Sequence, residues 1–351
     1  MSVDSWSRVV FGGCVCVCLF ANVVVAVSSC GAVRDVYQKQ VGGLPEDVPL
    51  SPVSAVLTEC SRTPEPSNES SCCSRAMEQT FVQSAQDYLR DSIKKSNHQL
   101  KQRINQSLTA FQDHLKLTTR ETQAKIADAL TLSYKIPKEE HTKVLDVFFG
   151  NLRMYLFGET HHTIGDIIDR FFRNLFPLVF DYVIIDPSKS KQMGQNFHGC
   201  LLQHYTALEP FGNVPTHLAK KLNYAFQRAR VFSETLKVMQ MTVDSVNNVT
   251  VDDECKKAVS RLQFCSMCGG HNEARPCRGL CLNVMRGCLS RISELSPSWD
   301  DLVMNFQNIQ MGMFRQHNAQ ELLSYMDVNI TDALLQASED GPRIYSDVST
   351  I

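Results

Sequence analysis

The 351-residue chain has no long run of one charge. Its 35 lysines and arginines nearly balance 37 aspartates and glutamates, for a formal net charge of −2. No lysine/arginine tract is present, so nothing points to nucleic acid or an acidic membrane as partner. No stretch of strand-like alternation reaches a useful length, which excludes a large sheet. There is no internal repeat, and no His-Glu-x-x-His motif that would mark a zinc hydrolase. From Arg75 to Ile136 there is neither glycine nor proline. The chain also contains no Ser-Gly dipeptide. After Asp340 no apolar tail follows a set of small residues, as a glycosylphosphatidylinositol signal would require.

What is present begins with an apolar run. Arg8 precedes Val9 to Val27, which is followed by Ser28 and Ser29. This predicts a secretory signal peptide over residues 1–28. A membrane anchor fits less well, because Asn22 interrupts the run and a span needs about 20 apolar residues. Removal of the peptide takes Cys14, Cys16 and Cys18 with it. Four Asn-x-Ser/Thr sequons, at Asn68, Asn105, Asn248 and Asn329, agree with an extracellular route and are candidate N-glycosylation sites.

Eleven cysteines then remain: Cys30, Cys60, Cys72, Cys73, Cys200, Cys255, Cys265, Cys268, Cys277, Cys281 and Cys288. Six of them fall between Cys255 and Cys288. Zinc would ask for two close cysteine pairs. Cys265 and Cys268 make one, but Cys277 and Cys281, with three residues between, make a poor second. Secretion favours disulfides instead. The number is odd, so at least one thiol finds no partner within the chain, and spacing alone assigns no pairing. Adjacent Cys72 and Cys73 must reach different partners, since a bond between neighbours is strained.

The rest reads as helix. Residues 29–75 carry Pro45, Pro49, Pro52, Pro64 and Pro66 and form an irregular segment needing crosslinks. Met77, Phe81, Ala85, Leu89, Ile93, Leu100, Ile104, Leu108, Phe111 and Leu115 then recur at helical spacing, predicting one long amphipathic helix or two end to end, closed by Pro137. Its charged face, with Lys94, Lys95 and Lys101, is a solvated one. Buried helices are expected over 144–157 and 164–185, and further helices over 195–208, 218–246, 299–314 and 319–336. The end from Asp340 is polar. The fold class is all-α, with 76–346 as the helical core and 347–351 as a cut end.

The cysteine-rich stretch also resembles a known family. Cys265, Cys268, Gly270, Pro276, Cys277, Cys281, Gly287 and Cys288 form the Cys-x-x-Cys-x-Gly, Pro-Cys, Cys, Gly-Cys pattern of the glypicans, the cell-surface heparan sulfate proteoglycans. Cys30-Gly31-Ala32-Val33-Arg34, Cys72-Cys73-Ser74 and Pro210-Phe211-Gly212 are similar to glypican segments too. Leu280 departs, where the family usually has Phe or Tyr. The resemblance implies an elongated, disulfide-stapled helical core. It implies the pairs Cys30–Cys72, Cys60–Cys265, Cys73–Cys268 and Cys255–Cys288, and that Cys200, Cys277 and Cys281 bond to cysteines further downstream. On this resemblance the chain is expected to be C-terminally truncated, as a front portion, an incomplete gene product or a short isoform.

The same resemblance implies a co-receptor or reservoir for secreted growth factors and morphogens of the Wnt, Hedgehog, bone morphogenetic protein and fibroblast growth factor classes. Covalent heparan sulfate and a lipid anchor would lie in the full-length form, at the cell surface. The alternative is a soluble extracellular morphogen-binding module. A Frizzled-type cysteine-rich domain does not accommodate the long Gly/Pro-free helix. No enzyme is expected, and no metal or cofactor. Cys200 between His198 and His204 is the best nucleophile arrangement, but nearby histidines on a polar helix arise by chance. His161 and His162 with Asp166 and Asp169 read as a polar helix entry. Glu139-Glu140-His141 suits a first helical turn.

Overall fold

The computed structural model describes residues 29–42, 44–61, 69–185, 195–315 and 318–350. The expected signal peptide over 1–28 and Asn68 lie outside these residues. The elements in chain order are α1 (Gly31–Val41), β1 (Val53–Ala55), β2 (Glu69–Ser71), α2 (Arg75–Leu132), α3 (Lys138–Leu156), α4 (Ile164–Val179), α5 (Gln195–Leu208), α6 (Val214–Asn247), α7 (Asp253–Gln263), α8 (Arg278–Cys288), α9 (Ser290–Ser293), α10 (Ser296–Arg315), α11 (Ala319–Ser324), α12 (Met326–Glu339) and α13 (Gly341–Ser349). The two strands pair antiparallel, Val53 opposite Ser71, and form the whole sheet among the described residues. The all-α expectation holds.

The chain divides into two compact units: residues up to 102 with 240–301, and 103–239 with 302–351. The helices α2, α6 and α10 each supply residues to both units. The absence of glycine and proline keeps α2 unbroken for 58 residues. It ends at Leu132, and Lys135 turns the chain at φ 57°. Pro137 does not close α2 but stands at the N-cap of α3, where its missing N–H costs nothing.

Two further expectations are corrected. Residues 29–75 are not irregular throughout, since α1 forms there. Val33 and Tyr37, four apart, are both buried against the first unit's core, and the ring of Tyr37 meets Phe81 edge-on at 5.8 Å. The end from Asp340 is not a plain polar tail, because α13 buries Ile344 completely.

The second unit has an aromatic core. Phe148, Phe149, Phe171, Phe172, Phe176, Phe180, Phe211 and Phe226 are all buried. Phe148 stacks on Phe171 with ring centroids 4.0 Å apart. Burying each such ring contributes on the order of 2–3 kcal/mol. A capping box opens α4: Thr163 Oγ1 accepts from Asp166 N (3.1 Å), and Asp166 Oδ2 accepts from Thr163 N (3.0 Å). Pro177 lies inside α4, which passes into a π-helical turn at Phe180–Ile184.

Candidate functional site: a disulfide-linked cleft

The first unit has two small apolar clusters, one of which holds Val33, Tyr37, Leu57, Met77, Phe81, Phe264 and Met267, with sulfur from Cys30, Cys72, Cys73 and Cys268 among it. Clusters this small stabilise a unit weakly, which is where crosslinks matter most. Four disulfides are formed: Cys30–Cys72, Cys60–Cys265, Cys73–Cys268 and Cys255–Cys288. Their Cα–Cα spans are 5.4, 5.1, 4.9 and 5.3 Å. Cys72 and Cys73 thus reach different partners. Three bridges gather the N-terminal segment and the turn at Cys265–Gly269 around the first turns of α2. The fourth ties α7 to α8.

Beside these bridges a cleft of about 760 Å³ opens. Tyr88, Leu89 and Ile93 from α2 line it, with Leu262 and Met267 across and Met285 and Leu289 from the α8 region. Arg275, Glu273 and Asn272 stand at its polar side. Asn272 Oδ1 is buried with no hydrogen-bond partner. Gln40, Ser92, Ser96, Gln263 and Ser266 line it too, so polar and apolar groups share its walls about equally, and it can take a small amphipathic group.

The loop entering Cys60 is organised by one carboxylate. Glu78 is 2% exposed. Its Oε2 accepts from Thr58 N (3.0 Å) and Thr58 Oγ1 (3.2 Å), and its Oε1 from Glu59 N (2.9 Å) and Cys60 N (2.6 Å). A buried charge is tolerated when several donors converge on it. Glu59 turns outward to Arg261 (2.6 Å) and Lys257 (3.9 Å). No signal in the sequence marked Glu78, which there is one acid among many on a helix.

The other candidate residues are not brought into a reactive arrangement. Cys200 is half-buried, and no hydrogen bond joins it to either imidazole among the described residues. His198, two residues away, points elsewhere, as i and i+2 do on a helix. Its Nε2 lies 2.9 Å from Asp181 Oδ2. Cys277 is exposed and Cys281 buried at the cleft. Asp166 is engaged in the capping box, whose hydrogen bonds from Thr163 hold its carboxyl below the ordinary value. Asp169 pairs with Arg173 at 3.6 Å. No group of three or more His, Cys, Asp or Glu that could hold a metal ion occurs among the described residues. His141 is buried, with Nε2 2.9 Å from Thr131 Oγ1.

The three described sequons differ. Asn105 sits within α2 with Oδ1 buried. Asn248 is exposed just past α6 and donates its amide to Asp244 O at 2.9 Å. Asn329 lies on α12 and donates to Tyr325 O at 2.7 Å. No described helix is long and apolar enough to cross a membrane.

Comparison with known proteins assigns the architecture. Among curated proteins the chain is similar to mouse glypican-5, 27% identical over 325 residues, covering 93% of this chain and 56% of that protein. Mouse glypican-1 is 25% identical over 318 residues, covering 89% and 54%. The chain thus spans about half the length of these relatives. Among solved structures, C-terminally truncated glypican-1 superposes with a TM-score of 0.73 at 23% identity, covering 92% of this chain and 74% of that one. Dally-like protein, solved in complex with O-palmitoleoyl serine, gives 0.58 at 22% identity. The glypican family model matches residues 16–351. With the cysteine pattern, the helical fold and a family match over nearly its whole length, the chain belongs to the glypican family.

Proposed function

We propose that this chain is core-protein sequence of a cell-surface heparan sulfate proteoglycan that regulates secreted morphogen signalling. The observation that carries the reading is the family match over residues 16–351. The work of such a molecule is not catalytic. Sulfated polysaccharide concentrates basic ligands near the membrane, and the folded core adds a second point of attachment. The ligands are secreted growth factors and morphogens of the Wnt, Hedgehog, bone morphogenetic protein and fibroblast growth factor classes. That Dally-like protein was solved with an acylated serine supports a secreted, acylated protein among them. Heparan sulfate and a lipid anchor belong to the full-length protein in this reading, and the sequons at Asn68, Asn105, Asn248 and Asn329 are its candidate N-glycosylation sites.

The test is a blot of the native protein with an antibody against residues 76–132, before and after heparan sulfate lyase. The expected result is a high smear that collapses to a band well above 39.5 kDa. A sharp band unaffected by the lyase and found in the medium would replace the co-receptor with a soluble morphogen-binding module.

A further inference from the structure

Between Glu273 and Glu294 the chain carries no acid, and it carries four arginines: Arg275, Arg278, Arg286 and Arg291. They are the only lysines or arginines in that interval. All four are exposed. The ion pairs nearby take up Lys256, Lys257 and Arg261 with Asp253, Glu254 and Glu59. None of the four arginines has a carboxylate within ion-pairing distance among the described residues. The backbone that presents them is held in place. Val284, Met285, Cys288, Leu289 and Ile292 turn inward onto the core formed by Ala85, Leu89, Ile93, Val246 and Val259. The Cys255–Cys288 bridge anchors the end of α8 to α7. Arg278 and Arg286, eight residues apart, lie about 80° from each other around α8 and about 12 Å along it. Arg275 leads into the helix beside the cleft, and Arg291 follows on α9.

We propose that this arginine-bearing surface, residues 275–291, binds a sulfated polysaccharide. Four uncompensated guanidiniums on a fixed backbone make a local positive field in a chain of net charge −2. Every cation here is arginine, whose planar fork matches paired sulfate or carboxylate oxygens and holds its charge at all relevant pH. The disulfides place the surface in an oxidising, extracellular setting, where repeating polyanions are sulfated glycans. The site does not depend on the chain carrying such a polymer itself, so it stands or falls apart from the proteoglycan reading.

The experiment uses the oxidised recombinant chain and a size-defined heparin dodecasaccharide, titrated at several salt concentrations. R275Q/R278Q/R286Q/R291Q is expected to weaken binding at least tenfold. The slope of log affinity against log salt should flatten by about 3, as each lost anion contact removes somewhat under one unit. A control with the same change in net charge, K39Q/K94Q/K95Q/R103Q, removes exposed cations elsewhere and should stay within twofold. If the quadruple variant loses its helical spectrum, R275Q/R278Q and R286Q/R291Q replace it, each expected to weaken binding at least threefold. The proposal is overturned if the arginine variants bind as the unsubstituted chain does, or if the control weakens binding equally. It is also overturned if fully desulfated heparin binds as well, or if polyglutamate competes at equal charge, since an acidic protein would then be the better partner.

Discussion

At Glu78 one buried carboxylate accepts three backbone N–H groups and a hydroxyl. Glu78→Gln replaces two acceptor oxygens by one acceptor and a donor, so at least one of those donors faces an NH2 group. The expected loss is about 2–3 kcal/mol in urea unfolding of the chain, a magnitude set by donors stranded without an acceptor. A loss below about 0.5 kcal/mol would mean that the loop relaxes to water. His141 is the residue whose burial has a pH consequence. Burial, with Lys138 adding to it, lowers its pKa below the ordinary 6.5. Above that value both folded and unfolded chains hold it neutral, and stability is complete. As pH falls below 6.5 the unfolded chain takes up the proton first, so stability declines until the folded-state pKa is reached. His141→Gln should flatten the unfolding free energy as pH falls below 6.5. An unchanged slope would assign that dependence to other groups.

The elements show where local sequence suffices. α2 was legible because nothing in it breaks a helix, and its apolar residues keep one stripe. α1 was not, because its eleven residues hold just two buried side chains and are followed by Pro45, Pro49 and Pro52. Isolated, so short a helix is marginal, and packing against Phe81 decides it. The turn before α6 depends on Gly212, whose φ of 51° is left-handed. An added Cβ would meet the side-chain amide of Gln336 on α12. Gly212→Ala therefore combines backbone strain with a displaced neighbour, and should cost about 1–3 kcal/mol. Thermal unfolding followed by circular dichroism would check this, and an unchanged midpoint would show that the turn rearranges freely. Arg275, Arg278, Arg286 and Arg291 escaped the sequence reading for the opposite reason. Three to eight residues separate neighbouring members, so they make no tract, and their lack of counter-charge is a property of the folded surface.

For the molecule as a whole the long bridges dominate. Cys60–Cys265 and Cys73–Cys268 join positions 205 and 195 residues apart. Closing a loop of that length alone is worth about 5 kcal/mol in the chain-entropy account. Once one of the two exists, the other closes a path of roughly 16 residues and adds about 3 kcal/mol. Removing either pair by serine substitution should then cost about 3 kcal/mol. Removing both should cost about 8, some 2 more than the sum of the separate losses. Denaturant unfolding of the three variants measures it. Simple additivity would indicate that the unfolded chain keeps these segments together without the bonds.

The sequence by itself determined the helical class and the family. Those rest on local propensity and a pattern of cysteines, glycines and prolines, all of which are read within short windows. Cysteine spacing left the pairing open, because a disulfide depends on which Cβ atoms meet in space and not on how far apart they stand in the chain. The tertiary structure alone decided the role of Glu78, the division into two units and the exposure of the four arginines. Each depends on residues brought together from distant segments, and no local window contains that information.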